Sequence, residues 1–275
     1  LANNSGTYPE YDYASLLEDP GQPATSGWAT RSNVKLWWQN GGGGVLGEGL
    51  YYKGDLGPLT SNGQWFGPEY GFGQVIGDLY ASEDVLIIKA AWGGHKLAED
   101  FRPPSAVAAR GGQVGPSYLE MFNKAREVLD NLGTEFPQWN GRGYQIVGFA
   151  WHQGTSDKSP VERSLEYKDN LTDLINDVRA EFGNPELPFV IATAGMTSAG
   201  VEPHPYSGYS LVEQAQLWAA GVPKPDNVLS SDTRGFWEDA AVSPRTQGFH
   251  WNGNARSYFR VGKALGDDMK TLLTE

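Results

Sequence analysis

Apolar residues gather into short runs that alternate with stripes at helical spacing. Residues 34–38 (VKLWW), 84–92 (DVLIIKAAW), 144–151 (YQIVGFAW), 188–195 (PFVIATAG) and 227–232 (NVLSSD) predict strands, the second and third almost continuously apolar. Such runs fit parallel strands buried on both faces. Between them, Ser117 and Glu120 have the spacing of a capping box, and Tyr118, Met121, Phe122, Ala125, Val128, Leu129 and Leu132 continue on one stripe. Residues 166–182 repeat the pattern through Tyr167, Leu171, Leu174, Ile175, Val178 and Phe182, and the chain closes on Tyr258, Val261, Leu265, Met269 and Leu272. Weaker helical patterns cover 69–81 and 209–220. Strand and helix in alternation predict an α/β fold, a doubly wound sheet joined by right-handed crossovers, as one domain over residues 1–275.

Three stretches break the alternation. Residues 39–68 are rich in glycine and read as a functional surface loop, and 98–116 and 196–208 behave similarly. No internal repeat is visible.

Composition narrows the function classes. A net charge of −12 repels phosphate backbones and anionic lipid, and no basic run offsets it locally, so neither nucleic acid nor membrane is an expected partner. No stretch approaches the ~20 apolar residues of a membrane span. With no cysteine, thiolate chemistry and disulfides are excluded, while the compartment stays open. Ten tryptophans and 13 tyrosines exceed what a core needs, and rings on loops suit stacking on sugars, although core filling accounts for most of them.

In open α/β sheets ligands bind beyond the carboxyl ends of the strands. Residues 90–97 (AAWGGHKL), 151–157 (WHQGTSD) and 248–255 (GFHWNGNA) are the segments to inspect there. They bring three of the four histidines, His95, His152 and His250, together with Gly93, Gly94, Gln153 and Asp157. A histidine can move a proton, a glycine N–H and a side-chain amide can hold an oxyanion, and a carboxylate can orient an imidazole. These are parts of an acyl-transfer site, with the nucleophile unassigned. A packed or capping role for His250, and an ordinary tight turn at Gly93 and Gly94, stand beside that reading.

KAAWGGHKLAEDFRPPS, GFAWHQGTSD, FGPEYGFG at 66–73 and the terminal HWNGNARSYFRVGKALGDDM together resemble the sialate O-acetylesterase-like group related to carbohydrate esterase family 6, within the SGNH hydrolases. The resemblance runs from about residue 8 onward. It implies a flavodoxin-like three-layer sandwich with a mostly parallel central sheet, no cofactor and no metal, and an acetylated carbohydrate as partner. His250 then matches the general base, Gly94 or its neighbour Gly93 the oxyanion glycine, and Gln153 the amide donor. The family's W-x-Q-G-E block has Thr155 in place of its glutamate, and the carboxylate expected three residues before the histidine falls on Gln247. Asp157 is the orienting acid chosen here, with Asp239 in reserve.

The family's G-Q-S-N motif, which carries the nucleophilic serine at the end of the first strand, does not occur in these residues. A central parallel strand cannot be dropped without exposing two rows of backbone donors and acceptors. A segment upstream of Leu1 is therefore expected to supply the strand and its serine; Ser156 is the local alternative.

The resulting expectation is a carbohydrate O-acetylesterase working through a Ser-His acyl-enzyme, secreted or periplasmic by analogy with the family. Trp65, Trp92, His95, Trp151, His152 and Arg102 are the expected substrate contacts, with His152 lining the pocket or holding a loop. Arg102 can pair with a sugar carboxylate, or with Asp100 or Glu99 as a loop-fixing bridge. A non-catalytic carbohydrate-binding protein on the same scaffold is the alternative. A metal hydrolase built from His95, His152, His250 and Asp157 is weaker, because no ligand spacing supports it.

Overall fold

The computed structural model describes residues 2–3, 30–41, 51–58, 65–194, 207–218, 224–246 and 248–275. In chain order the strands are β1 (Ala2–Asn3), β2 (Arg31–Gly41), β3 (Tyr51–Leu56), β4 (Trp65–Phe66), β5 (Val85–Trp92), β6 (Phe149–Trp151), β7 (Phe189–Ala192) and β8 (Val228–Ser231). The main helices are α1 (Glu69–Leu79), α2 (Pro104–Arg110), α3 (Pro116–Asp130), α4 (Val161–Glu181), α5 (Gly208–Gln216) and α6 (Ala255–Thr274). The α/β alternation read from the sequence is present.

Among the described residues the strands do not join into one sheet. Three-stranded sheets of order β3-β2-β5 and β6-β7-β8 form separately, besides the small antiparallel pair of β1 with β4. β2 is parallel to β5 and antiparallel to β3, and β6, β7 and β8 are parallel throughout. β3 lies inside the stretch expected to be irregular: Tyr51–Leu56 pairs with β2 despite its glycine-rich surroundings. The expected strand at 144–151 shrinks to three residues, because its ladder with β7 begins at Phe189, just after Pro188, and no described residue pairs with its other edge.

Both sheets nevertheless serve the same two cores. Trp92 with Ala90 from β5 meets Phe149, Trp151, Phe189, Ile191 and Val228 from the second sheet, packed against α3 and α4. On the opposite face Val34, Leu36, Val85 and Ile87 share a cluster with Val190, Ala192 and Leu229, under α1 and α6. The alternation of side chains along each strand makes this division possible. A glycine-lined crossing ties the two halves on that face: a methyl on Gly71 would overlap the Phe259 carbonyl, and one on Gly262 would overlap the carbonyl of Pro68. Only Gly allows helix backbones so close.

Ser117 corrects the capping-box reading. Gly115 occupies the N-cap of α3 without a side-chain cap bond, and the Ser117 hydroxyl instead meets His95 Nδ1 at 2.6 Å. The apolar stripe of that helix is as expected, with Tyr118, Met121, Phe122 and Val128 buried.

Candidate active site

Two strand ends and the turn before α6 bring the candidate residues to one region. Beyond β5, Gly93 and Gly94 are exposed, and Gly94 turns through the left-handed region at φ 80°. A Cβ at either position would meet nothing within 4 Å, so their peptide groups border open space. His95 then folds back, stacked on Trp92 at 6.2 Å with 17° between the rings.

The loop after β6 is fastened to the first one by a buried carboxylate. Asp157, fully buried, accepts from Leu97 N and Ala98 N, each at 2.9 Å, and from Gln153 Nε2 at 2.6 Å. Burial pushes its pKa up, and these three donors pull it back. As the orienting acid expected from the sequence, Asp157 is placed with its oxygens on the 97–98 backbone and on Gln153, and none of these bonds reaches His250. The Asp239 carboxylate, the reserve, accepts from Ala241 N and caps a short helical turn. Gln247 lies outside the described residues.

Gln153 is held on every side. Its Nε2 donates to His95 O at 3.0 Å as well as to Asp157, and its Oε1 lies 3.1 Å from Tyr167 Oη. An amide nitrogen has two hydrogens, and both are used here. Gln153 is thus a positioning residue in this geometry, not an open oxyanion donor. Tyr167 and Gln216 complete the support: the Gln153 carbonyl accepts from both, at 2.8 and 2.5 Å. The sequence shows Tyr167 only as part of a helical stripe, and Gln216 gives no signal at all, so neither was found there.

Several expected substrate contacts belong to the interior. Trp151 is 5% exposed, edge-on to Phe101 at 5.2 Å, with its indole N–H toward Tyr167 Oη. Trp92 is likewise buried in the core. Arg102 is buried as well, and its guanidinium donates to Ala98 O and Gly111 O while pairing with Glu166 at 3.1 Å. It ties the backbone at Ala98 and Gly111 to α4, and its ion pair is with Glu166 and not with Asp100 or Glu99. The side chain of Trp65 lies outside the described residues.

The third segment carries the histidine with the most open setting. His250 is exposed, followed by Trp251, Asn252 and Gly253, all at positive φ (52°, 51° and 68°). Left-handed Trp and Asn are strained unless held. Here Trp251 is 2% exposed, Asn252 Nδ2 donates to Glu238 O at 2.9 Å, and Asn252 O accepts from Arg245 N. Tyr258 Oη fixes the His250 carbonyl at 3.1 Å, and Asn254 caps α6 through Ser257 N. Partial burial is the main cause that holds the His250 pKa below the usual histidine value, and the positive charge of Arg245 adds a smaller push in the same direction.

His152 links the second segment to the third, its ring 6.4 Å from that of Trp251. Burial drives its pKa down to about 4, against a hydrogen bond to the Ala192 backbone. The folded protein then refuses a proton that the unfolded chain takes near pH 6.5, so this contribution to stability is complete above pH 6.5 and is lost as pH falls toward 4. The loss is on the order of 3 kcal/mol. Thermal melts at pH 7 and pH 4.5 should show a smaller acid-induced drop for His152→Gln than for the wild type; equal drops would assign the acid sensitivity elsewhere.

Among the described residues no cluster of three or more His, Asp or Glu could hold a metal ion, and no helix is long and apolar enough to cross a membrane. A crevice between Arg126, Tyr144, Ile146 and Phe182 contains none of the candidate site residues.

The chain is similar in sequence pattern and fold to known proteins. The family described as carbohydrate esterase, sialic acid-specific acetylesterase matches residues 50–270. An Arabidopsis thaliana protein of known structure superposes with a TM-score of 0.58 at 18% identity, covering 88% of this chain and 82% of its own. A carbohydrate acetylesterase from Xanthomonas citri superposes with a TM-score of 0.59 at 13% identity over 88% of this chain, which spans about half (49%) of that protein. No curated protein sequence matches.

Proposed function

Since the chain belongs to the sialic acid-specific acetylesterase family of carbohydrate esterases, we propose that it removes O-acetyl groups from a polysaccharide or a sialic-acid-type sugar through a serine acyl-enzyme. The observation that carries this reading is the meeting of three segments: an open glycine turn at 93–94, a braced loop at 152–157, and an exposed His250 on a rigid turn joined to that loop through His152 and Trp251.

His250 takes the proton of a serine hydroxyl as its oxygen attacks the acetyl carbonyl. The negative charge that develops on the carbonyl oxygen is held by the N–H groups of Gly93 and Gly94. The sugar hydroxyl leaves with the proton from His250, and water, deprotonated by the same ring, releases acetate. Asp157 and Gln153 act through the loops they hold. The serine comes from a strand N-terminal to Leu1, and the finished fold is the doubly wound three-layer sandwich of SGNH hydrolases. A polysaccharide substrate fits a secreted or periplasmic enzyme.

Incubation of the polypeptide, including the residues encoded upstream of Leu1, with acetylated xylan and with O-acetylated sialic acid tests the reading. Free acetate from at least one is expected; acetate from neither overturns it. Because the base works as neutral imidazole, its lowered pKa places the acid limb of kcat/KM below pH 6.5. Arg245→Ala removes a charge that disfavours imidazolium, so the limb should move upward; a limb that stays in place separates it from His250.

A further inference from the structure

Two helices that begin at the candidate site lead away from it to a crevice that the mechanism leaves unused. α3 begins beside His95, through the Ser117 contact, and α4 begins just after the braced loop at 152–157. From Ser117 to Asp130 the rise along α3 is about 20 Å. At that far end, the last turns of α3 and α4 and the run leading into β6 enclose a space of about 450 Å³. This is within the size range of small-ligand clefts.

Its lining is divided between apolar and polar groups. Leu129, Ile146 and Phe182 are partly buried, the last two packed against the core. Tyr144, by contrast, is 55% exposed, and Gln145 and Asp130 beside the same space are exposed as well. Among the described residues no hydrogen bond is made by the side chains of Tyr144, Gln145 or Asp130. A phenol ring, an amide and a carboxylate therefore face the crevice uncommitted. A sugar ring has the matching chemistry: its C–H face stacks on an aromatic ring, and its edge hydroxyls both donate to a carboxylate and pair with an amide. A wholly apolar ligand would instead strip water from Gln145 and Asp130 without replacing it.

Charge narrows the kind of sugar. Arg126 is already paired with Glu181, so Asp130 leaves the crevice with a net negative charge. Uronate and sialate chains are disfavoured there. We propose that this crevice is an accessory binding site for an uncharged polysaccharide chain, with Tyr144 as the stacking platform and Gln145 and Asp130 as partners for the hydroxyls. A polymer held at this end of α3 keeps the protein on its glycan while acetylated units elsewhere reach the His95 end. The proposal goes beyond the esterase reading, since binding here needs neither an ester nor His250.

Affinity electrophoresis of the full-length polypeptide tests it, in gels holding alkali-deacetylated xylan, glucomannan or mixed-linkage β-glucan, none of which carries an ester. Wild type and His250→Ala should be retarded equally in at least one of these gels. Tyr144→Ala should need about tenfold more polymer for the same retardation, with Tm unchanged as befits an exposed side chain. Asp130→Ala should weaken retardation in the same gel. Migration unaffected by all three polymers would overturn the proposal, as would retardation that survives Tyr144→Ala or that is stronger in polygalacturonate. Retardation lost in His250→Ala would also overturn it, by moving the binding to the candidate active site. Acetate release from O-acetylated sialic acid, a substrate too small to span both sites, should be the same for wild type and Tyr144→Ala. A protein that binds the neutral polymer through Tyr144 yet releases no acetate would support this site and count only against the esterase.

Discussion

Alanine in place of His250 is expected to lower kcat/KM for acetate release by about a thousandfold, while Tm shifts by no more than ~2 °C. The two readouts separate because of how the residue is held. The turn is fixed by the buried Trp251 and Asn252 and by Tyr258, which bonds the backbone carbonyl of residue 250 and keeps that bond whatever the side chain. The exposed ring adds little packing, so its loss should cost chemistry and not fold. A fall in kcat with KM nearly unchanged is the signature of a group acting in the transition state. Activity that survives the substitution would exclude His250 as the base. His152→Gln serves as the contrast, since a ring held neutral to about pH 4 supports the fold near the site and not proton transfer at neutral pH.

The pattern of apolar positions was enough to place most elements, because five runs and three stripes each had only one way to bury their faces. It failed at β3, where Tyr51–Leu56 becomes a strand by pairing with β2 and not through its own composition. At 144–151 the apolar run is long, yet a strand exists only where a neighbour supplies a ladder, and β7 supplies it from Phe189 onward. The same limit applied to the site. Spacing brought out His95, His152, His250 and the glycine pair, since their residue types carry the chemistry. It could not distinguish Asp157, Arg102 and Gln153 as braces, because a buried carboxylate bonded to two backbone amides reads in sequence just like one facing an imidazole. Ser117 misled for a related reason: its spacing to Glu120 matched a capping box, while its hydroxyl was used by a histidine 22 residues earlier.

Asp157→Ala carries the largest expected cost in stability, about 2–5 kcal/mol. Three donors, the N–H groups of Leu97 and Ala98 and the Gln153 amide, would lose their acceptor inside the protein, where water does not replace it. For a chain of this size each kcal/mol corresponds to about 2–4 °C in Tm, so a fall of roughly 5–15 °C should be visible by calorimetry. Asp157→Asn keeps the shape and one acceptor oxygen, but turns an N–H toward a group that itself donates; an intermediate loss is expected. Activity should fall with both variants, since the glycine turn and the His152 loop lose their common anchor. The pH dependence then identifies the role. If Asp157 braces loops, the acid limb set by His250 stays where it was at every temperature at which the variant is folded. If Asp157→Asn instead moved that limb while leaving Tm unchanged, the carboxylate would be acting on the imidazole, and the placement of Asp157 as a brace would be wrong.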